Sequence, residues 1–117
     1  MRLEHADFTV DKGWYAGQWE SAAPIWIGYA NKGIDEPHVH SQITEIYLVA
    51  RGTAEIRIEQ KTFALIAGDV LIVEPGEAHT FLASSPDYFH FVIHTFGSTS
   101  EIAPPAKSAV SRARLGL

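Results

Sequence analysis

The chain has 117 residues, a formal net charge of -5, 46% hydrophobic content and no cysteine. That length fits one domain with a real core, and the lack of cysteine excludes disulfides, thiolate metal sites and cysteine nucleophiles. The acidic balance argues against nucleic acid as a partner, since nucleic-acid binding favours a basic face.

The first residues, Met1-Arg2-Leu3-Glu4-His5-Ala6-Asp7, are polar and mixed in charge, without the apolar stretch of a signal peptide. No window is long and apolar enough to cross a bilayer. The reading is therefore a cytoplasmic protein with no membrane partner.

Taken in chain order, residues 14–19 form a weak strand candidate and residues 24–29 a better one. His38-Val39-His40 comes next, then Glu45-Ile46-Tyr47-Leu48-Val49-Ala50, closed by Arg51-Gly52. Residues 54–59 alternate apolar and charged, the period of a half-exposed strand. Residues 62–66 run to the turn signal Ala67-Gly68-Asp69, and Val70-Leu71-Ile72-Val73 is closed by Pro75-Gly76. Residues 79–83, a Ser84-Ser85-Pro86-Asp87 turn and residues 88–96 follow. Strands with short Gly, Pro and Asp turns, and almost no helical period, indicate an all-β antiparallel sandwich or barrel. Helix fits only a short stretch near either end. The chain reads as a single domain over 1–117, with a barrel core at about 24–96. Residues 97–117 read as an extended C-terminal tail or arm, docking on a partner subunit. Its basic residues Lys107, Arg112 and Arg114 read as solvated.

Three imidazoles and a carboxylate stand out. His38 and His40 are two apart, so on a strand both point to one side. Glu45 opens the next strand and His79 a later one. Three neutral nitrogens and one carboxylate suit one divalent transition metal: Mn, Fe, Co, Ni, Cu or Zn. Four protein ligands leave two positions open on an octahedral ion for water, substrate or dioxygen.

These residues resemble the cupin family. His38-x-His40-x4-Glu45-x6-Gly52 matches its first motif, with Gly33 as the leading glycine, one residue nearer to the first His than usual. Gly68-Asp69, Gly76 and His79 match the second. Glu74 stands where proline is usual, with Pro75 next to it, and Ala83 where asparagine is common. The resemblance covers about residues 33–96. It implies an antiparallel jelly-roll β-barrel with little helix and the metal inside. Gly52 and Gly68 would end strands in tight turns, with positive φ allowed.

Other residues carry weaker signals. Tyr47 follows Glu45 by two and should face the cavity, as should Phe81 after His79. Tyr47 is read as a proton donor or as wall, and Phe81 as pocket wall. His90 and His94 share one face of the last strand with Tyr88 and Val92. His94 is read as a proton-moving group or as a hydrogen-bonded core residue. Trp14, Trp19 and Trp26 read better as core or dimer packing than as a ligand stack. Asp35, Glu36, Glu74 and Glu77 read as solvated rim carboxylates, and His5 as plain surface.

Two functions follow. In the first, the metal site acts on a small oxygen-bearing organic molecule, as a dioxygenase or an isomerase or lyase, with Tyr47 or His94 moving protons. In the second, the chain is a non-catalytic metabolite- or sugar-binding module. Because small barrels cover exposed sheet edges by pairing, and because the family commonly dimerises, a homodimer is expected.

Overall fold

The computed structural model describes residues 1–17, 25–96 and 107–117. Ten strands and one short 3-10 helix account for the regular structure among them. The strands are β1 (Lys12–Ala16), β2 (Ile25–Ala30), β3 (His38–His40), β4 (Ile43–Arg51) and β5 (Thr53–Ile58). They continue as β6 (Lys61–Ile66), β7 (Val70–Val73), β8 (His79–Ser84), β9 (Phe89–Phe96) and β10 (Lys107–Ala109). The 3-10 turn spans Arg112–Leu115.

The strands form two five-stranded sheets, ordered β1-β2-β9-β4-β7 and β10-β3-β8-β5-β6, and every pairing is antiparallel. This is the jelly-roll barrel the sequence implied. Strand β4 shows why the sheets face each other. Ile43, Glu45, Tyr47 and Val49 are buried while the residues between them are only half-buried, so one face of the period-2 pattern turns inward. Tyr47 and Val49 then pack with Ile56, Leu65, Val73, Phe81 and Val92 from the neighbouring and facing strands. At about 25 cal/mol per Å² of apolar surface removed from water, this cluster is the main favourable contribution to the fold.

Turn chemistry sets the strand ends. Gly52 has φ +76°, and a Cβ there would lie 2.5 Å from Ser85 Oγ and 2.7 Å from Tyr88 Cα. A side chain at Gly52 would thus be strained and would displace the β8–β9 turn. That turn is pinned to Thr53 by two hydrogen bonds: Ser85 N to the Thr53 carbonyl (2.8 Å) and Thr53 N to Ser85 Oγ (2.9 Å).

The first strand lies two residues earlier than the sequence indicated, and Trp19 falls outside the described residues. Residues 107–117, read from sequence as an arm, pack on their own barrel. Strand β10 pairs with β3, aligning Lys107 with His40 and Ala109 with His38. Leu115 is fully buried, and the Arg57 guanidinium donates to its carbonyl (2.7 Å). Arg114, expected to be solvated, donates to Glu59 (2.8 Å) and to the Gly76 carbonyl (3.1 Å). The N-terminal segment also packs on its own chain. Asp7 N donates to Tyr29 Oη (2.8 Å) and Phe8 lies against Phe89.

Candidate metal and ligand site

The register of β3 and β8 sets His38 directly opposite His79, with ring centroids 4.3 Å apart. His40 points the same way, two residues along. Glu45 comes from the facing sheet. The Ser41-Gln42 bend carries the chain from β3 across to β4, whose hydrogen-bonded neighbours are β7 and β9. The four residues therefore bridge the two sheets, rather than lying on adjacent strands of one. All four are buried, and one ligand atom from each lies within 4.8 Å of the others.

Hydrogen bonds fix the imidazole tautomers. His38 Nδ1 is 2.8 Å from the Glu36 carbonyl and His79 Nδ1 is 3.0 Å from the Glu77 carbonyl. A carbonyl only accepts, so both Nδ1 atoms donate and Nε2 is left to face the cluster with a lone pair. Glu45 Oε1 lies 2.8 Å from His79 Nε2, 3.0 Å from His40 Nε2 and 3.9 Å from His38 Nε2. Yet Glu45 Oε1 and His79 Nε2 are both sealed from solvent without an aligned hydrogen-bond partner. Buried polar atoms without partners are costly. A divalent cation among these four groups would satisfy them together, so the residues present fit a metal ion.

The other oxygen of Glu45 is held from behind. Tyr47 Oη donates to Oε2 at 2.8 Å and His94 Nε2 donates to it at 2.9 Å. Burial opposes the charge of Glu45, but its contacts with His40, His79 and His94 outweigh that and hold the carboxyl far below the usual range. Burial and the adjacent Glu45 charge push the Tyr47 hydroxyl well up, so it stays protonated and donates. Burial and the neighbouring His79 push His38 down to about 4, keeping it neutral at ordinary pH.

A cavity of about 310 Å³ opens beside the cluster. Tyr47, Phe81, His90, Val92 and His94 line its interior. Exposed lining residues mark its mouth: Lys32, Ile34, Lys107 and the half-exposed Trp14. Trp14 and Trp26, expected as core or dimer packing, stand beside His94 with ring centroids at 5.1 Å and 6.3 Å. Gly28 leaves room for this, since a Cβ there would meet the Trp14 ring at 2.8 Å.

Asp35, expected as a solvated rim carboxylate, is tied to β8. Its Oδ1 accepts from Thr80 Oγ1 and from Phe81 N, both at 2.7 Å. Glu77 accepts from Glu74 N within its own turn, and neither residue lines the cavity. His5 lies on the outer side of the first sheet, in a groove with Phe8, Ile27 and Phe91.

The AraC-like ligand-binding domain family matches residues 24–99, about two thirds of the chain. The chain belongs to that family. Comparison with curated protein sequences finds no match. Among solved structures the domain is similar to a cupin protein from Bacteroides fragilis. The TM-score is 0.65 at 19% identity, covering 95% of this chain and 96% of that one. It is similar to KdgF from a Halomonas species (TM-score 0.60, 20% identity, 72% and 77% covered). It is also similar to a substituted form of Streptomyces PAC13 solved with uridine (0.63, 10% identity, 86% of each). At these identities the likeness concerns the cupin barrel fold.

Proposed function

We propose that the domain binds a small oxygen-bearing organic molecule against a divalent transition metal held by His38, His40, Glu45 and His79. One observation carries the reading: four ligand atoms converge within 4.8 Å in a buried cluster, and two of them have no hydrogen-bond partner. Such an ion would act as a Lewis acid toward an oxygen of the bound molecule. The chain's own groups supply the rest. Tyr47 and His94 orient Glu45, Phe81 and the tryptophans wall the molecule, and Lys32 and Lys107 favour an anionic one at the mouth.

Elemental analysis of protein purified without a metal-affinity step tests this. About one equivalent of a transition metal in the wild type, and loss of it in His38→Ala/His40→Ala, is expected. Full metal content in the double variant would sink the proposal.

Whether the bound molecule is turned over divides the two readings. The match to a ligand-binding family favours binding without turnover. So does the engagement of Tyr47 and His94 with Glu45, which leaves both occupied in holding a ligand residue. A thermal-shift ligand panel, followed by turnover assays of the hits with and without Fe(II), separates binding from dioxygenase or isomerase and lyase chemistry. Saturable binding without turnover supports the module.

We also propose a homodimer formed through the outer face of the first sheet. Ile25, Ile27, Val70, Ile72 and Phe91 are each more than a third exposed there, on three strands of one sheet, a patch of the kind that marks association. A monomer by light scattering at micromolar concentration would refute it.

A further inference from the structure

The cavity holds a second imidazole that the metal cluster does not use. His90, on β9, is 3% exposed and lines the cavity wall. Its Nδ1 lies 2.6 Å from Tyr88 Oη. Tyr88 is 1% exposed, and His90 is the partner its hydroxyl has among the described residues. A phenol hydrogen in that setting goes to Nδ1, and a neutral imidazole then carries its own hydrogen on Nε2. Burial pushes the Tyr88 hydroxyl well up and His90 down to about 4, so the phenol keeps its proton and the ring is uncharged.

Nε2 has no hydrogen-bond partner among the described residues, yet it is not one of the atoms sealed from all solvent. The ring that carries it is clamped. Phe81 stacks on it at 5.3 Å and 27°, and the edges of Tyr47 and Tyr88 close it in at 5.0 Å and 5.2 Å. Its direction is therefore set before anything binds, the condition under which a hydrogen bond adds specificity.

Position along the strand gives the span. His94 is in register with Glu45 and His90 with Val49, four residues further along β9. At ~3.3 Å per residue the two histidines are about 13 Å apart along the strand. Between them the wall is the aromatic surface of Tyr47 and Phe81.

We propose that His90 is a fixed, uncharged hydrogen-bond donor that receives an acceptor oxygen of the bound molecule at the end of the cavity away from Glu45. The substrate or ligand class that follows is a small flat molecule with oxygen functions at both ends, one toward the metal cluster and one toward Nε2. The far-end assignment stands on the Tyr88–His90 geometry, while the two-ended molecule rests on the metal-site reading above.

Nitrogen-15 NMR of the imidazoles in the full chain tests it, with His90→Gln assigning the signal. The wild type should show the Nε2–H tautomer at neutral pH, and Tyr88→Phe should release a mixture. Acetone, acetate and phenol then serve as minimal acceptor-oxygen probes, in metal-free and zinc-loaded protein. At least one should shift the His90 Nε2–H signal, bind about tenfold more weakly to His90→Phe, and regain part of that in His90→Gln. An Nδ1–H tautomer in the wild type, or no response to any probe, would overturn the proposal. A response that persists in metal-free protein, in a chain that takes up no metal, would leave His90 standing while the metal reading fails.

Discussion

Tyr47 donates its hydroxyl hydrogen to Glu45 Oε2, 2.8 Å away and two residues along the same strand. The oxygen it holds is the one facing away from the imidazole cluster, since Oε1 contacts His40 and His79. With His94 gripping the same Oε2, the carboxylate cannot rotate freely. Tyr47→Phe keeps the ring packing against Phe81 and removes only this restraint. Metal affinity should fall about 10-fold or more with the fold intact, measured by competition against a chelator. Unchanged affinity would mean that His94 alone orients Glu45, which Tyr47→Phe combined with His94→Gln would then expose.

Asp35 links the segment before β3 to β8. Its Oδ1 accepts from Thr80 Oγ1 and Phe81 N, while Gly33 N donates to Ser84 Oγ at 2.9 Å. The segment leads directly into His38. Asp35→Ala leaves the buried Phe81 N–H unpaired, at a cost of about 1–3 kcal/mol, while the Thr80 hydroxyl keeps the backbone carbonyl of residue 35 at 3.0 Å. Urea unfolding should show a loss of about 1–3 kcal/mol. Thr80→Val, which removes one donor and leaves Phe81 N paired, should cost less. Equal losses from both variants would contradict this account.

Much of this was legible in the sequence. Period-2 alternation is strict in β4, and His-x-His on a strand can only point one way. Glu45 was legible as a cluster member but not as belonging to the facing sheet, because pairing partners are set by long-range packing. His90 was placed on one face with Tyr88, Val92 and His94 but given no role, because a strand flanked by aromatics on both faces does not announce which face is inward. The signal that existed was Tyr88-x-His90, a phenol and an imidazole at same-face spacing. Strand β10 gave none: Lys107, Ser108 and Ala109 are all exposed, held by backbone pairing to β3 rather than by apolar burial. The tryptophans were read as packing because large aromatics usually are, and only Gly28 opposite Trp14 hinted at an open pocket.

Leu115 and Arg114 couple the end of the described chain to the cluster. Leu115 is buried completely, and Arg114 reaches the Gly76 carbonyl, three residues before His79. Gly76 N in turn donates to the His40 carbonyl at 2.8 Å, so this loop touches both His-bearing strands. Leu115→Ala should cost about 2–4 kcal/mol by chemical denaturation. Arg114→Ala, exposed and cheap in stability, should instead weaken metal binding several-fold. Loss of stability without any effect of either variant on metal affinity would reduce the 3-10 turn to a passive cover.

His90 gives the stability of the metal-free protein a defined acid dependence. Burial depresses it from the ordinary 6.5 to about 4, with Glu45 opposing and Lys12 adding slightly to the depression. A histidine depressed in the fold takes up its proton more readily when unfolded. Its contribution is therefore complete above pH 6.5 and is lost as pH falls from 6.5 toward 4. At ~1.4 kcal/mol per pH unit the loss is roughly 3 kcal/mol across that window. His38, also near 4, adds to the same slope, whereas Glu45, held low in the fold, contributes only below its ordinary 4.5. His90→Gln does not titrate, so its urea midpoints at pH 7, 6, 5 and 4.5 should fall less steeply than those of the wild type. His38→Gln should flatten the remainder. Parallel curves for the wild type and His90→Gln would mean that the imidazole is not enclosed as the Tyr88, Phe81 and Tyr47 contacts require.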